Sequence, residues 1–258
     1  MVLTTEQEQQ VAGFYNRLAP DYDRMTGFAK RFVHEKPFFR MLVEKFGIRS
    51  ALDAGAGTGF HSLLLSQLGV DVTAVDVSAE MLQALDANAR EKGLHVRALE
   101  SSFEDLQAHL TEPFDSVFCL GNALAHILSP DALRLVLANF ASLLKSDGVL
   151  FLQTVNFERI LKSRDRIQNI REAGNVMTVR FYDYEDEFIR FNVLKIEKAD
   201  GGMSHSLNSV LLRPILREEL LQMLEEAGFI DIKTYGGITM EEFDTCLSRD
   251  LVVLARRK

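Results

Sequence analysis

Three glycines followed by an aspartate are the residues of this chain best suited to ligand chemistry. Gly55, Gly57 and Gly59 can adopt positive φ angles and let a ligand approach the backbone closely. Asp76 falls where the second strand of a βαβ unit presents a carboxylate to a ribose diol. A dinucleotide-binding loop needs the spacing G-x-G-x-x-G, whereas this run is G-x-G-x-G and is followed by Phe60. The pattern predicts a nucleoside-cofactor site and does not favour a pyrophosphate.

The same segment resembles the first motif of the class I S-adenosylmethionine (SAM) dependent methyltransferases, an acid followed by G-x-G-x-G. The acid is Asp53, and residues 15–23 are similar to the N-terminal lid segment of that family. After Asp76, residues 77–82 are similar to the D-x-S-x-x-M-L continuation of that family. In all, the resemblance covers roughly residues 11–157. It implies a methyltransferase enzyme that uses SAM and releases S-adenosylhomocysteine.

A second segment, residues 118–127, resembles the C-L-G-N-x-x-A-H-L stretch of glycine and sarcosine N-methyltransferases. In that subgroup the position of Leu120 contributes backbone to the cofactor, and the position of Asn122 faces the acceptor amine. A polar residue at the carboxyl end of a strand is well placed to orient a substrate. Asn122 and His126 could instead cap a turn or a helix.

Carrying the subgroup over by position gives a set of expected cofactor contacts. Arg31 matches the arginine that binds the methionyl carboxylate, a role that suits a bidentate guanidinium. The full set is Tyr15, Tyr22, Arg31, Asp53, Ala54, Gly55, Gly57, Gly59, Asp76, Val77, Met81, Ser102, Phe103 and Leu120. Met81 and Phe103 would sandwich the adenine, with Ser102 at its edge, although a Met and a Phe are also common core residues.

One position departs from the subgroup and bears on the acceptor. Glycine methyltransferases carry an arginine for the substrate carboxylate directly before an Asn-Tyr-Asp triplet, where this chain has Val155. A buried carboxylate without a partner is strongly disfavoured. We therefore expect a small-molecule acceptor other than glycine, unless Arg159, Arg180 or Arg190 replaces the missing arginine.

The reaction implied is an in-line displacement by a nitrogen or oxygen of the acceptor. The cofactor supplies the reactive group, and the protein supplies orientation and electrostatics. A neutral amine needs no dedicated base. If the acceptor must lose a proton, His126 and Tyr182 are candidate catalytic residues by type, beside Asn122.

Composition limits the other classes of function. The chain has 258 residues, 47% of them hydrophobic and 26% charged, which fits one large domain or a domain with an insertion. The formal charge of −8 argues against nucleic acid as a partner. Six histidines without ligand spacing and two cysteines predict no metal site. The sequence has neither an apolar run long enough to span a membrane nor a signal-like start, so we expect a cytoplasmic protein. A homo-oligomer is compatible with the sequence.

The elements that would position these residues alternate between strand and helix. Helices are expected over 5–17 and 29–46, with Pro20 as a boundary or hinge between them. The α/β alternation that follows predicts a Rossmann-like, seven-stranded methyltransferase sheet with helices on both faces. Residues 176–184, 188–198 and 204–213 read as three antiparallel strands of an insertion.

This reading gives three parts to the chain. Residues 1–164 would hold the lid helices and the SAM-binding core, residues 165–213 an inserted antiparallel sheet that covers the substrate, and residues 214–258 a helix and hairpin that complete the core. An insertion at the carboxyl end of an open sheet overhangs the crevice where ligands bind. Two other functions stay open: a non-catalytic SAM-binding regulator, and a NAD(P)-dependent oxidoreductase.

Overall fold

The computed structural model describes residues 5–199 and 201–258. The helices are α1 (Thr5–Thr26), α2 (Phe28–Phe46), α3 (Phe60–Gln67), α4 (Ala79–Lys92), α5 (Leu106–His109), α6 (Pro130–Ser142), α7 (Phe157–Ser163) and α8 (Arg217–Glu226), with a 3-10 turn over Ala123–His126. The strands are β1 (Ser50–Ala54), β2 (Asp71–Asp76), β3 (Arg97–Glu100), β4 (Phe114–Cys119), β5 (Leu144–Val155), β6 (Ile167–Ala173), β7 (Val176–Glu185), β8 (Phe188–Ala199), β9 (Gly202–Leu212), β10 (Phe229–Tyr235) and β11 (Asp250–Arg257).

Seven strands form the main sheet, in the order β10-β11-β5-β4-β1-β2-β3. The five strands β1 to β5 are parallel, whereas β11 pairs antiparallel with β5 and with β10. From β1 the chain continues outward to β2 and β3, and β4 lies on the other side of β1. The carboxyl ends of β1 and β4 therefore border the point where the strand order reverses, which is where open α/β sheets bind ligands.

Both faces of the sheet are buried. Alternate residues of a strand face opposite sides, so Leu52 of β1 packs in the core that contains α6 and α8, while Ala51 packs in the core that contains α2, α3 and α4. Ser78 caps α4 by accepting a hydrogen bond from the Met81 N–H. The predicted seven-stranded α/β fold with an inserted antiparallel sheet is confirmed.

The predicted helix boundary at Pro20 is wrong. Helix α1 runs through Pro20 and ends at Thr26, and the break before α2 falls at Gly27, whose φ is 73°. A proline inside a helix removes one backbone hydrogen bond. Here the buried face of Phe14, Leu18 and Met25 continues across it, so tertiary packing holds the helix together.

A separate four-stranded antiparallel sheet, β6-β7-β8-β9, lies in the chain between α7 and α8. Its strand β6 is absent from the three strands expected from sequence, because most of its residues are exposed and give no alternating apolar signal. On one side Val193 and Val210 pack with Phe14 of α1. On the same face, Tyr182 packs with Phe157 of α7. None of the described helices is both long and apolar enough to cross a membrane.

Candidate active site

Two adjoining clefts lie at the carboxyl ends of the parallel strands, under α1. The first cleft is formed by the loops after β1, β2, β3 and β4 and by α1 and α2. Its lining consists of Gln7, Glu8, Val11, Tyr15, Tyr22, Thr26, Arg31, Gly55, Ala56, Gly57, Thr58, Phe60, His61, Asp76, Val77, Ser102, Phe103, Glu104, Leu120, Gly121, Ala123, His126 and Ile127. Ten of the fourteen residues expected to contact a cofactor are therefore together in one cleft.

The loop after β1 needs its glycines for two different reasons. Gly55 has a φ of 78°, and a Cβ atom on it would lie 2.7 Å from the Ala123 Cβ, so only glycine fits this floor of the first cleft. Gly59 is outside the cleft lining. A Cβ there would lie 2.6 Å from the Leu85 Cγ, so Gly59 lets α3 pack closely against α4.

Asp76 presents a buried carboxylate to the first cleft. Its Oδ2 accepts a hydrogen bond from the Gly57 N–H at 2.8 Å, and its Oδ1 accepts one from the Ser78 N–H at 2.9 Å. Burial raises the pKa of Asp76, and the backbone hydrogen bonds oppose that rise. Each oxygen keeps a further lone pair, so the carboxylate can still accept hydrogen bonds from a ribose diol.

The other three expected contacts lie beneath the cleft lining. Asp53 accepts a hydrogen bond from the Ser62 hydroxyl at 2.6 Å, and burial raises the pKa of Asp53 to about 6. It thus ties the end of β1 to α3. Ala54 and Met81 are fully buried, Met81 in the core between α1 and α4. Neither side chain reaches the lining of the first cleft. Ala54 and Met81 therefore support the loop after β1 and helix α1 from beneath.

Arg31 lines the first cleft from α2. Its Nε donates to the Glu35 carboxylate at 2.7 Å, and its guanidinium lies 4.2 Å from the centre of the Phe60 ring. These contacts fix the side chain in one orientation. Because a guanidinium has five N–H donors, several are left for an anionic group of a ligand.

Side-chain hydrogen bonds fasten helix α1 over the first cleft. The Ser78 hydroxyl donates to the Asn16 Oδ1 at 2.6 Å, and the Asn88 amide donates to the Asp23 Oδ2 at 2.8 Å. Near the start of α1, the Gln7 amide donates to the His126 carbonyl at 2.9 Å. The helix thus forms a roof over the cleft.

The second cleft lies between α1, α7, the loop before β11 and the four-stranded sheet. Its volume of about 550 Å³ is in the usual range for a drug-sized ligand. Its lining consists of Phe14, Tyr15, Leu18, Tyr22, Met25, Thr26, Gly121, Asn122, Val155, Arg159, Ile160, Asp165, Ile167, Gln168, Asn169, Arg171, Arg180, Tyr182, Phe191, Val193, Arg249 and Asp250. Four residues belong to both clefts: Tyr15, Tyr22, Thr26 and Gly121.

Asn122 lines the second cleft immediately after β4. Its φ of 72° is uncommon for a residue other than glycine, and such conformations concentrate at functional sites. Its side-chain Oδ1 accepts a hydrogen bond from the Val155 N–H at 3.0 Å. Among the described residues none accepts a hydrogen bond from its Nδ2, so the amide N–H groups remain for a ligand.

The two candidate proton acceptors lie in different clefts. His126 is in the first cleft, where its Nε2 is hydrogen bonded to the Tyr15 hydroxyl at 2.8 Å, and burial lowers the pKa of His126 to about 4. Tyr182 is in the second cleft, and burial raises its pKa to about 12. At neutral pH the imidazole is therefore uncharged and the phenol protonated.

Two acidic residues of the first cleft escaped the sequence reasoning. Glu104 has a buried Oε1 that no described residue hydrogen bonds, and burial raises the pKa of Glu104 to about 7. Glu8 comes from the first turns of α1. Glu104 directly follows Phe103, which was expected in the site, so its position in the sequence could have indicated it. The sequence around Glu8 does not predict that α1 carries this residue to the first cleft.

The sequence comparisons identify a methyltransferase. The sequence model of a methyltransferase domain matches residues 51–148. The glycine/sarcosine N-methyltransferase of Aphanothece halophytica is 34% identical over 232 residues, 89% of this chain and 83% of that protein. A ubiquinone biosynthesis O-methyltransferase of Haemophilus ducreyi is 39% identical over 119 residues, 45% of this chain and 48% of that protein.

A solved structure extends the agreement to the whole fold. A SAM-dependent methyltransferase of Clostridium acetobutylicum superposes with a TM-score of 0.81 at 17% identity, covering 94% of this chain and 98% of that one. The first cleft fits the cofactor of these proteins, because Asp76 can receive the ribose and Glu104 has an unpartnered buried oxygen. The chain therefore belongs to the class I SAM-dependent methyltransferases, and within them it is similar to the glycine/sarcosine N-methyltransferases.

Proposed function

We propose that this enzyme transfers the methyl group of SAM to a nitrogen or oxygen of a small molecule other than glycine, bound in the second cleft. The observation that carries the proposal is the junction of the two clefts at Tyr15, Tyr22, Thr26 and Gly121. A donor in one cleft and an acceptor in the other would meet there. Holding two reactants in such a geometry is a major source of rate enhancement.

The residues of the first cleft have distinct roles in this proposal. Asp76 accepts hydrogen bonds from the ribose, Arg31 binds the methionyl carboxylate, and Ser102 and Phe103 border the adenine. Bound SAM supplies an electrophilic methyl group, and the protein provides its orientation and a water-poor surrounding. The Tyr15 hydroxyl, fixed by His126, offers an oxygen at the junction.

In the second cleft Asn122 orients the acceptor. Its Oδ1 is engaged by the Val155 N–H, so its Nδ2 group is presented as a donor. A donor at this point suits an acceptor with a hydroxyl, carboxylate or amine lone pair near the attacking atom. Because burial raises the pKa of Tyr182 to about 12, its protonated hydroxyl would hydrogen bond the acceptor in this cleft, whereas His126 holds the Tyr15 hydroxyl.

Two observations support the exclusion of glycine. The side chain that lines the cleft at the end of β5, beside Asn122, is Val155, which cannot pair with the carboxylate of a glycine held there. The second cleft is also much larger than glycine would fill. The names of the relatives span glycine and sarcosine N-methylation and O-methylation in ubiquinone biosynthesis, so both kinds of acceptor atom occur among similar proteins.

The same proposal assigns the parts of the chain. Residues 1–164 form the lid and SAM-binding core, residues 165–213 form the substrate cover, and residues 214–258 complete the core. Arg180 and Tyr182 of the four-stranded sheet border the second cleft, which supports the cover role. Its contact with α1 through Val193 and Val210 links the cover to the lid.

The test is a methyl-transfer assay that detects S-adenosylhomocysteine with glycine, sarcosine, other amines and hydroxyl compounds as acceptors. Asn122→Gly is the informative variant, because glycine tolerates the positive φ that alanine would strain. We expect kcat/KM for the best acceptor to fall about tenfold, the loss of one hydrogen bond, with SAM affinity unchanged. Preferred turnover of glycine would contradict the exclusion, and undiminished turnover by the variant would remove Asn122 from the acceptor site.

A further inference from the structure

The charges of the second cleft oppose those of the chain as a whole. The formal net charge of the protein is −8, yet this cleft is lined by four arginines and two aspartates. The arginines are Arg159, Arg171, Arg180 and Arg249. Within the described part of the chain, none of the four forms an ion pair with a carboxylate.

Arg159 has a donor that the fold leaves unused. It lies on the first turn of α7, four residues beyond Val155, and is half-buried. Its Nε is buried without a hydrogen-bond partner among the described residues. A buried donor of a charged group without a partner is costly, so a ligand that accepts this hydrogen bond would be stabilised.

Arg180 approaches the same cleft from β7 of the cover sheet. Burial lowers the pKa of Arg180 and the charge of Arg171 lowers it further, while Tyr22, Tyr15 and Tyr182, which line the same cleft, oppose that change. It therefore lies near the junction of the two clefts. A half-buried guanidinium in this position, with no carboxylate paired to it, favours an anion nearby.

A purely structural role accounts for part of this cluster. Arg171 donates to the Met25 carbonyl at 2.7 Å, and Arg180 donates to the same carbonyl at 3.3 Å, at the C-terminal end of α1. The contact with Met25 is a sufficient structural role for Arg171, whose side chain is otherwise exposed. They use one of the five donors of Arg180 and none of Arg159.

We propose that Arg159 and Arg180 together bind an anionic group of the methyl acceptor, a carboxylate or a phosphate. The inference rests on the proposed function, in which the second cleft holds the acceptor. The residues of this anion site come from α7 and the cover sheet, whereas glycine methyltransferases place the corresponding arginine at the end of β5, where this chain has Val155. The acceptor class is therefore an anionic amine or alcohol larger than glycine, whose charged group lies apart from the atom that is methylated.

The test is calorimetric binding of probes to the protein saturated with S-adenosylhomocysteine, without turnover. The probes are malonate and inorganic phosphate, which separate the two kinds of anion, and malonamide as the uncharged counterpart of malonate. The variants are Arg159→Met and Arg180→Met. The matched control is Arg190→Met, because Arg190 lies on the same sheet, is paired with Glu185 and borders neither cleft.

We expect at least one anion to bind more tightly than malonamide. Each variant should weaken that binding by roughly 10- to 100-fold, the contribution of a charge-assisted hydrogen bond, while the control leaves it unchanged. S-adenosylhomocysteine affinity, measured in every variant, reports whether the fold is intact. Among the described residues, Arg159 forms no hydrogen bond or ion pair with α1, so Arg159→Met also separates anion binding from lid docking.

Two results would overturn the inference: anions that bind no better than malonamide, or anion binding that persists in both variants. Either result leaves the proposed methyl transfer intact, because that is judged by turnover of the acceptor panel and by Asn122→Gly. Conversely, anion binding that depends on Arg159 and Arg180, in a protein that methylates no acceptor of the panel, would support the anion site and count against the proposed function alone.

Discussion

The two clefts meet at four shared residues but differ in the sign of their charge. The described lining of the first cleft contains three carboxylates, Glu8, Asp76 and Glu104, against one arginine, Arg31. Burial keeps its histidines uncharged, because it lowers the pKa of His61 to about 3 and that of His126 to about 4. The second cleft has the reverse balance, with an excess of arginines.

This difference matches the two reactants. SAM carries a sulfonium and an ammonium group against one carboxylate, so its net positive charge suits an acidic cleft. The proposed anionic acceptor suits the arginine-lined cleft. The junction itself is lined by uncharged groups, and burial raises the pKa of both Tyr15 and Tyr22. Opposite fields on either side of a neutral junction would keep each reactant in its own cleft.

The largest expected effect is on the acidic side, at Asp76. Asp76→Ala should weaken SAM binding by about 1.5 to 3 kcal/mol, because it removes charge-assisted hydrogen bonds to the ribose. The substitution also removes the hydrogen bond from the Gly57 N–H to Asp76, which holds the loop after β1 in place. Calorimetry measures the change, and Asp71→Asn, at the exposed start of the same strand, is the control. Unchanged affinity in Asp76→Ala, or tighter binding of NAD than of SAM, would contradict the cofactor assignment.

A smaller effect is expected from Arg31, the one arginine of the first cleft. If it binds the methionyl carboxylate, the unmutated protein should prefer SAM over a decarboxylated analogue by about tenfold. Arg31→Ala should lose that preference while binding the analogue as before. Arg40→Ala, at an exposed position on the same helix, should keep it. An equal preference in all three proteins would remove Arg31 from the site.

The centre of the first cleft was predictable because its residues are local in sequence. The loop from Asp53 to Gly59 and the carboxylate of Asp76 fall within one strand-helix-strand unit, so their spacing carries the information. Pattern alone does not separate a side chain that lines a cleft from one that supports it. Asp53 and Met81 share the motif with the lining residues, yet both are buried beneath it.

The second cleft was harder to predict because its residues come from distant elements. Asn122, Arg159 and Arg180 lie on different elements that only the fold brings together. The sequence offered Arg159, Arg180 and Arg190 as equal substitutes for a missing arginine, and the structure separates them, since Arg190 is paired with Glu185 outside both clefts. Strand β6, too polar to predict from sequence, completes the cover and supplies four residues of the second cleft: Ile167, Gln168, Asn169 and Arg171.

The smallest expected effect is a pH dependence of stability at Glu104. Burial raises the pKa of this carboxyl in the folded protein to about 7, whereas its ordinary value is 4.5. The folded state therefore binds the proton more tightly than the unfolded state, and stability is lost as pH rises from about 4.5 to 7. Glu104→Gln removes that loss, so the variant should melt at most about 2 °C higher than the unmutated protein at pH 8, because the group is partly exposed to solvent. At pH 4 the two should melt alike, and Glu100→Gln, exposed at the end of β3, should show no such pH dependence. An equal melting temperature at both pH values would mean that Glu104 is not an uncompensated carboxylate of the first cleft, which would weaken the charge contrast between the two clefts.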